Sequence, residues 1–123
     1  MPADAGSLMS DPLNLIEIRH DASHPTVAFR PDDFRQLETT RKVSEAVVAW
    51  IDHCCGNVSK PEELRVDCGE ITHLGSEALN SLIGWNRKAR SLGVRFVLTN
   101  VTPPLQDIFA ITRLERMFEM GRR

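Results

Sequence analysis

The chain has 123 residues, 41% hydrophobic and 26% charged, which suits one domain with an ordinary packed core and argues against wholesale disorder or a second folded unit. A formal charge of -2 gives no global positive field to draw the chain onto nucleic acid or an anionic membrane. No apolar run approaches the roughly 20 residues of a bilayer span, and the start MPADAGSLMS lacks a basic stretch followed by an apolar one, so the expected compartment is the cytoplasm.

Residues 1–12, rich in Pro, Gly, Ala and Ser, read as a flexible leader ahead of a domain over 13–123. Leu13, Leu15, Ile16 and Ile18 make a short β-like run, and Thr26, Val27, Ala28 and Phe29 make a second after a break at His24-Pro25. Asp33 and Gln36 resemble a capping box. Downstream, Val43, Ala46, Val47, Trp50, Ile51 and Cys54 recur at helical spacing until Gly56, Asn57 and Pro61 close the helix.

Leu64, Val66 and Cys68 then alternate with charged residues as a strand would. After Gly75 and Ser76 a second helix carries Ala78, Leu79, Leu82, Ile83, Trp85, Ala89 and Leu92, with Gly93 as its stop and Arg87, Lys88 and Arg90 as a solvated face suited to its negative end. Val94 to Leu98 reads as a buried strand. Thr102-Pro103 opens a third helix with Leu105, Ile108 and Phe109, and Met117, Phe118 and Met120 could form a short edge strand. This order implies an α/β fold: a single domain with a mostly parallel mixed sheet of about four or five strands and helices packed against it.

In open α/β sheets functional groups gather beyond the carboxyl ends of the strands, which points to the turns at 67–76 and 99–104. Neither G-x-x-x-x-G-K-[ST] nor G-x-G-x-x-G occurs, so no glycine loop is present to bring backbone amides onto a phosphate. Ser76 has Leu74 and Ala78 where a hydrolase elbow has glycines, and all four histidines precede it, against the usual chain order. Cys54, Cys55 and Cys68 have neither C-x-x-C nor zinc spacing and read as reduced, partly buried thiols. Glu62, Glu63, Asp67 and Glu70 form no calcium-loop pattern and read as a solvated strand edge, so no metal site or cofactor is expected. Trp50 and Trp85 fall on apolar stripes and read as core.

The strand and turn LRVDCGEITHLGSEAL, the helix exit RKARSLG, the strand VRFVLTNV followed by proline, and the ending ITRLERMF together resemble the STAS domains, the family of bacterial anti-sigma-factor antagonists. The resemblance runs from Leu64 to about Met120, and ITRLERMF is similar to the family's "TGLdxlF" close. It implies a non-enzymatic protein-binding module, with a partner such as an anti-sigma factor serine kinase of the GHKL type or a larger sensory complex, and with Thr72, His73, Gly75, Ser76, Glu77 and Ala78 as the docking and regulatory turn. Family members carry Asp-Ser-Ser/Thr-Gly-Leu here, the second hydroxyl being phosphorylated. This chain has Gly75, Ser76, Glu77, Ala78 and Leu79, so Glu77 stands at the acceptor's position and Gly75 at the aspartate's. Ser76 is expected to cap the helix through its hydroxyl. The alternative is a small α/β nucleotide-binding protein or enzyme that uses His73 and Ser76 in the same turn.

Overall fold

The computed structural model describes residues 16–21, 24–30, 34–56, 60–71 and 74–121. The expected leader, the start of the first strand at Leu13 and Leu15, Asp33, Asn57, Thr72 and His73 lie outside them. In chain order the elements are β1 (Glu17–Asp21), β2 (His24–Ala28), α1 (Leu37–Cys55), β3 (Glu63–Asp67), α2 (Ser76–Ser91), β4 (Arg95–Thr99), α3 (Pro103–Thr112) and β5 (Glu119–Met120).

The sheet runs in the order β1-β2-β3-β4-β5; only β1 and β2 pair antiparallel, so the mixed, mostly parallel sheet expected from the element order is what forms. The chain steps across this sheet in one direction. Right-handed crossovers then place the three described helices on one face. Val27, Phe29, Leu64, Val66, Phe96 and Leu98 point into that face and join Trp50, Trp85, Leu82, Leu105 and Phe109 in one core. The stripes read from the sequence are therefore the core faces, with both tryptophans buried. Trp85 stacks on Phe29 with ring centroids 5.8 Å apart and donates its indole N–H to the Ser44 hydroxyl at 3.2 Å.

Three local expectations change. β2 already includes His24 and Pro25, which pair with Asp21 and His20 across the hairpin. Pro25 is tolerated because pairing with β3 begins only at Thr26, so its missing N–H breaks no ladder bond on that side. Helix α1 takes Gln36 as its N-cap without a side-chain capping bond, so Gln36 is not the closing residue of a capping box. The acidic residues of β3 are not a solvated edge: Glu63 is buried, and the Asp67 side chain is only 16% exposed.

The last point follows from the one-sided layering. Glu17 and Arg19 of β1, Glu63, Arg65 and Asp67 of β3, Arg95 of β4 and Glu119 of β5 occupy alternate positions in register on the face opposite the described helices. They pair there: Arg19 with Glu17 and Asp67, Arg65 with Glu63 at 2.6 Å, and Arg95 with Glu63 at 3.1 Å and with Glu119. Beneath these side chains Thr26, Ala28 and Val97 are buried although helices lie on the other side. The arginine stems cover apolar sheet surface while their heads stay near water. Gly93 ends α2 with φ +82°, the left-handed conformation in which an L side chain is strained, as its place after the last apolar residue implied.

Candidate functional site

The turn between β3 and α2 is built from both ends. Asp67, the last residue of β3, accepts hydrogen bonds from the Gly69 N–H at 2.9 Å, the Asn100 amide at 3.1 Å and the Arg19 guanidinium at 2.9 Å. One carboxylate thus ties the β3 exit to the β4 exit and to β1. Burial pushes the Asp67 carboxyl up, but Gly69, Asn100 and Arg19 together outweigh it and hold it below the usual carboxylate value. The Cys68 N–H bonds the Thr99 carbonyl at 2.8 Å and the Ile71 N–H bonds the Cys68 carbonyl at 3.1 Å, so the chain turns sharply and drives Ile71 into the core.

At the other end Leu74 and Ala78 are buried, and the three residues between them are lifted out of the core. Gly75 is the N-cap in extended conformation, and its carbonyl accepts the first helical bond from Leu79 at 3.0 Å. Ser76 is the first helical residue, exposed, and the helix start has no side-chain capping bond. The capping role expected of Ser76 therefore fails: the cap is set by backbone conformation one residue earlier. Among the described residues a side chain at Gly75 would meet nothing within 4 Å, so their packing does not demand glycine there.

Glu77 lies in the first turn of α2, where a carboxylate faces unpaired backbone amides and the positive end of the helix dipole. Its side chain is 43% exposed, and Arg41 of α1 approaches one oxygen, Oε2, at 3.8 Å. A long contact between two largely exposed groups contributes about 0–1 kcal/mol and leaves Glu77 open to a competing cation. Of the six residues expected at the site, Gly75, Ser76, Glu77 and Ala78 are adjacent at the helix start. Ala78 faces the core and only the first three face outward. Sequence reasoning places Asp67 at the start of this turn but reads it as a solvated strand-edge acid, not as the tie between strands, and it does not point to Arg41. Arg41 is one of several charged residues on an amphipathic helix, and only the packing of α1 beside α2 singles it out.

These groups present a backbone cap, a hydroxyl and a carboxylate side by side toward solvent. Among the described residues no histidine or carboxylate forms a hydrogen bond with Ser76, and no three His, Cys, Asp or Glu side chains come together as metal ligands would. A cavity of about 210 Å³ lined by Arg90, Gly93, Val94, Arg95, Phe96 and Glu119 lies at the opposite end of β4 from the turn. Burial pushes the Cys54 thiol up to about 11, helped by Cys55, and the Cys68 thiol up to about 12. All three cysteines are free. No described helix is long and apolar enough to cross a membrane.

The fold is shared with solved proteins. An anti-sigma-factor antagonist (STAS) domain protein from Planctomyces limnophilus superposes with a TM-score of 0.71 at 15% identity, covering 88% of this chain and 90% of its own. A serine-to-glutamate variant of RsbS from Moorella thermoacetica gives 0.64 at 20% identity, covering 86% and 87%. A chain of the stressosome, described as a signal integration and transduction hub, gives 0.61 at 22% identity, covering 87% and 88%. At these identities the likeness shows the fold alone, an anti-sigma-factor-antagonist-like one. No curated protein matches the chain. The sequence model of the family described as "Mlab, STAS domain" matches residues 36–120, more than half of the chain and all of its elements from α1 to β5, and the chain belongs to the STAS family.

Proposed function

We propose that the protein is a non-enzymatic regulatory module that docks a signalling protein through the 72–79 turn and the outward side of α2. Thr72 and His73 complete the turn by sequence. The observation that carries this reading is the position of Glu77: a half-exposed carboxylate in the first turn of a 16-residue helix, whose one ion pair among the described residues is the long Arg41 contact. In relatives that are switched, a phosphate would bring about -1.5 to -2 charge and three acceptor oxygens to this place. One carboxylate supplies part of that charge permanently. The module is therefore held in one binding state, and its partner is a kinase-like anti-sigma factor or a sensory assembly that reads a constant negative group.

The reading is tested with a photo-crosslinking residue at exposed Asn80, one turn beyond Ser76, against a control at exposed Glu17 on the sheet face opposite the described helices. The expected result is a single protein adduct from Asn80 in cells and none from Glu17. Adducts of equal yield from both positions, or from neither, would remove the support for docking at this turn. The enzymatic alternative requires a base for Ser76; turnover or stoichiometric bound nucleotide that is lost in Ser76→Ala would establish it instead.

A further inference from the structure

Among the described residues, Asn100 and Arg113 are the only non-glycines with positive φ. Arg113 is the C-cap of α3, where a left-handed residue ends a helix. Asn100, with φ +55°, instead bends the chain as it leaves β4. Asparagine tolerates this conformation better than most side chains, and glycine better still, so the bend alone would favour glycine. What glycine lacks is the side-chain amide, which donates to Asp67 Oδ1 at 3.1 Å. The same oxygen accepts the Gly69 N–H at 2.9 Å, and the Asp67 side chain is only 16% exposed, so water competes little for it. Gly69 fits closely against this pair: a carbon added to it would lie 3.2 Å from Asp67 Oδ1 and 3.5 Å from the Asn100 Cβ. Backbone bonds run alongside, the Cys68 N–H donating to the Thr99 carbonyl at 2.8 Å and the Thr99 hydroxyl to the Val66 carbonyl at 3.3 Å. The turns after β3 and β4 thus meet through Asp67, Cys68 and Gly69 on one side and Thr99 and Asn100 on the other.

We propose that Asn100 is a positioning residue for the docking turn: its amide, acting through Asp67 Oδ1, clasps the start of that turn, residues 67–71, to the β4 exit and holds it in one conformation. The inference rests on the docking reading above and adds to it a residue on a different loop that need not touch the partner. Arg19 cannot replace the clasp, because it comes from β1 and takes the other oxygen, Oδ2. Without the Asn100 amide the exposed Gly69 and Glu70 would be tied to the β4 exit by the neighbouring Cys68 backbone bond alone. A turn that must then be ordered when the partner binds costs affinity.

The test compares amide hydrogen exchange in the full chain for wild type, Asn100→Gly and Asn100→Asp. Asn100→Gly keeps the bend and removes only the clasp. Exchange at Cys68 and Ile71 should quicken by about tenfold, with mid-strand Val66 and Val97 changing much less. Asn100→Asp keeps the shape but sets a carboxylate against Asp67, and should quicken the same amides further. In the Asp67→Ala background Asn100→Gly should add nothing at Ile71, because both substitutions break one contact. Asn100→Gly should also cut the photo-adduct yield from Asn80 by about threefold or more. Wild-type exchange at Cys68 and Ile71 in Asn100→Gly would show that the residue serves the bend alone and would overturn the proposal. Equal quickening throughout the core, or additive effects of the two substitutions, would overturn it as well. An undiminished Asn80 adduct beside a loosened turn would refute the positioning role and leave docking standing. Absence of any adduct in the wild type would refute docking, with the exchange rates still deciding the clasp.

Discussion

Replacing Asp67 should destabilise the protein by an amount that depends on how many of its three donors lose their acceptor. In Asp67→Ala the Gly69 N–H, the Asn100 amide and the Arg19 guanidinium are all left without it. A hydrogen bond to a charged group is worth about 1.5–3 kcal/mol, but the side chain is partly solvated, and the Arg19 contact, with 44% of that side chain exposed, adds only about 0–1 kcal/mol. The loss should total about 2–3 kcal/mol, or roughly 8–12 °C in Tm for a domain of this size. Asp67→Asn keeps an oxygen for the Gly69 N–H and should cost about 1 kcal/mol.

The same carboxylate makes the difference depend on pH. Its folded-state pKa lies below the unfolded value, so its contribution is fully present above the ordinary carboxylate range and is lost as the pH falls through the folded value. Urea unfolding of wild type and Asp67→Ala should show a constant gap from neutral pH to about pH 5 and a shrinking one below about pH 4. A gap under about 0.5 kcal/mol at pH 7, or one that widens on acidification, would refute the role assigned to Asp67.

With the Cys54 thiol pushed up to about 11, roughly one molecule in a thousand carries its thiolate at pH 8, so labelling by a thiol-specific disulfide reagent should be slow in the native state and rapid in denaturant. Fast native labelling of any cysteine would contradict the burial described. Gly84 lies mid-helix with open space around it, and Gly84→Ala should raise stability by about 0.5–1 kcal/mol in chemical denaturation. Gly93→Ala should instead lower it by about 1–2 kcal/mol, because φ is +82° and the new carbon would lie 3.0 Å from the Lys60 ammonium.

Much of the architecture is written in apolar spacing. Leu64 and Val66 alternating with Glu63, Arg65 and Asp67 fix which side of β3 is buried, and the stripes of α1 and α2 name the core tryptophans, because these signals depend on residues two to four apart. What the charged half of that alternation does cannot be read so locally. Glu63 and Asp67 look solvated in the sequence because their cations, Arg95 and Arg19, come from other strands brought into register by the fold. The same holds at the turn. Ser76 has the chemistry of a cap, yet backbone angles at Gly75 decide the cap, and the Arg41 contact to Glu77 exists only because α1 lies beside α2. The resemblance carried by residues 64–120 supplied the family, and the family model extends it back to residue 36.

The charge of Glu77 tests the central reading most directly. Affinity of the partner captured at Asn80 should be measured by calorimetry for wild type, Glu77→Gln, Glu77→Lys and the pair-swapped Arg41→Glu/Glu77→Lys. The account predicts a stepwise loss reaching at least about tenfold for Glu77→Lys, with no recovery in the swapped variant, because the partner reads the carboxylate and not the internal ion pair. Unchanged affinity in Glu77→Lys, or full recovery in the swapped variant, would contradict it.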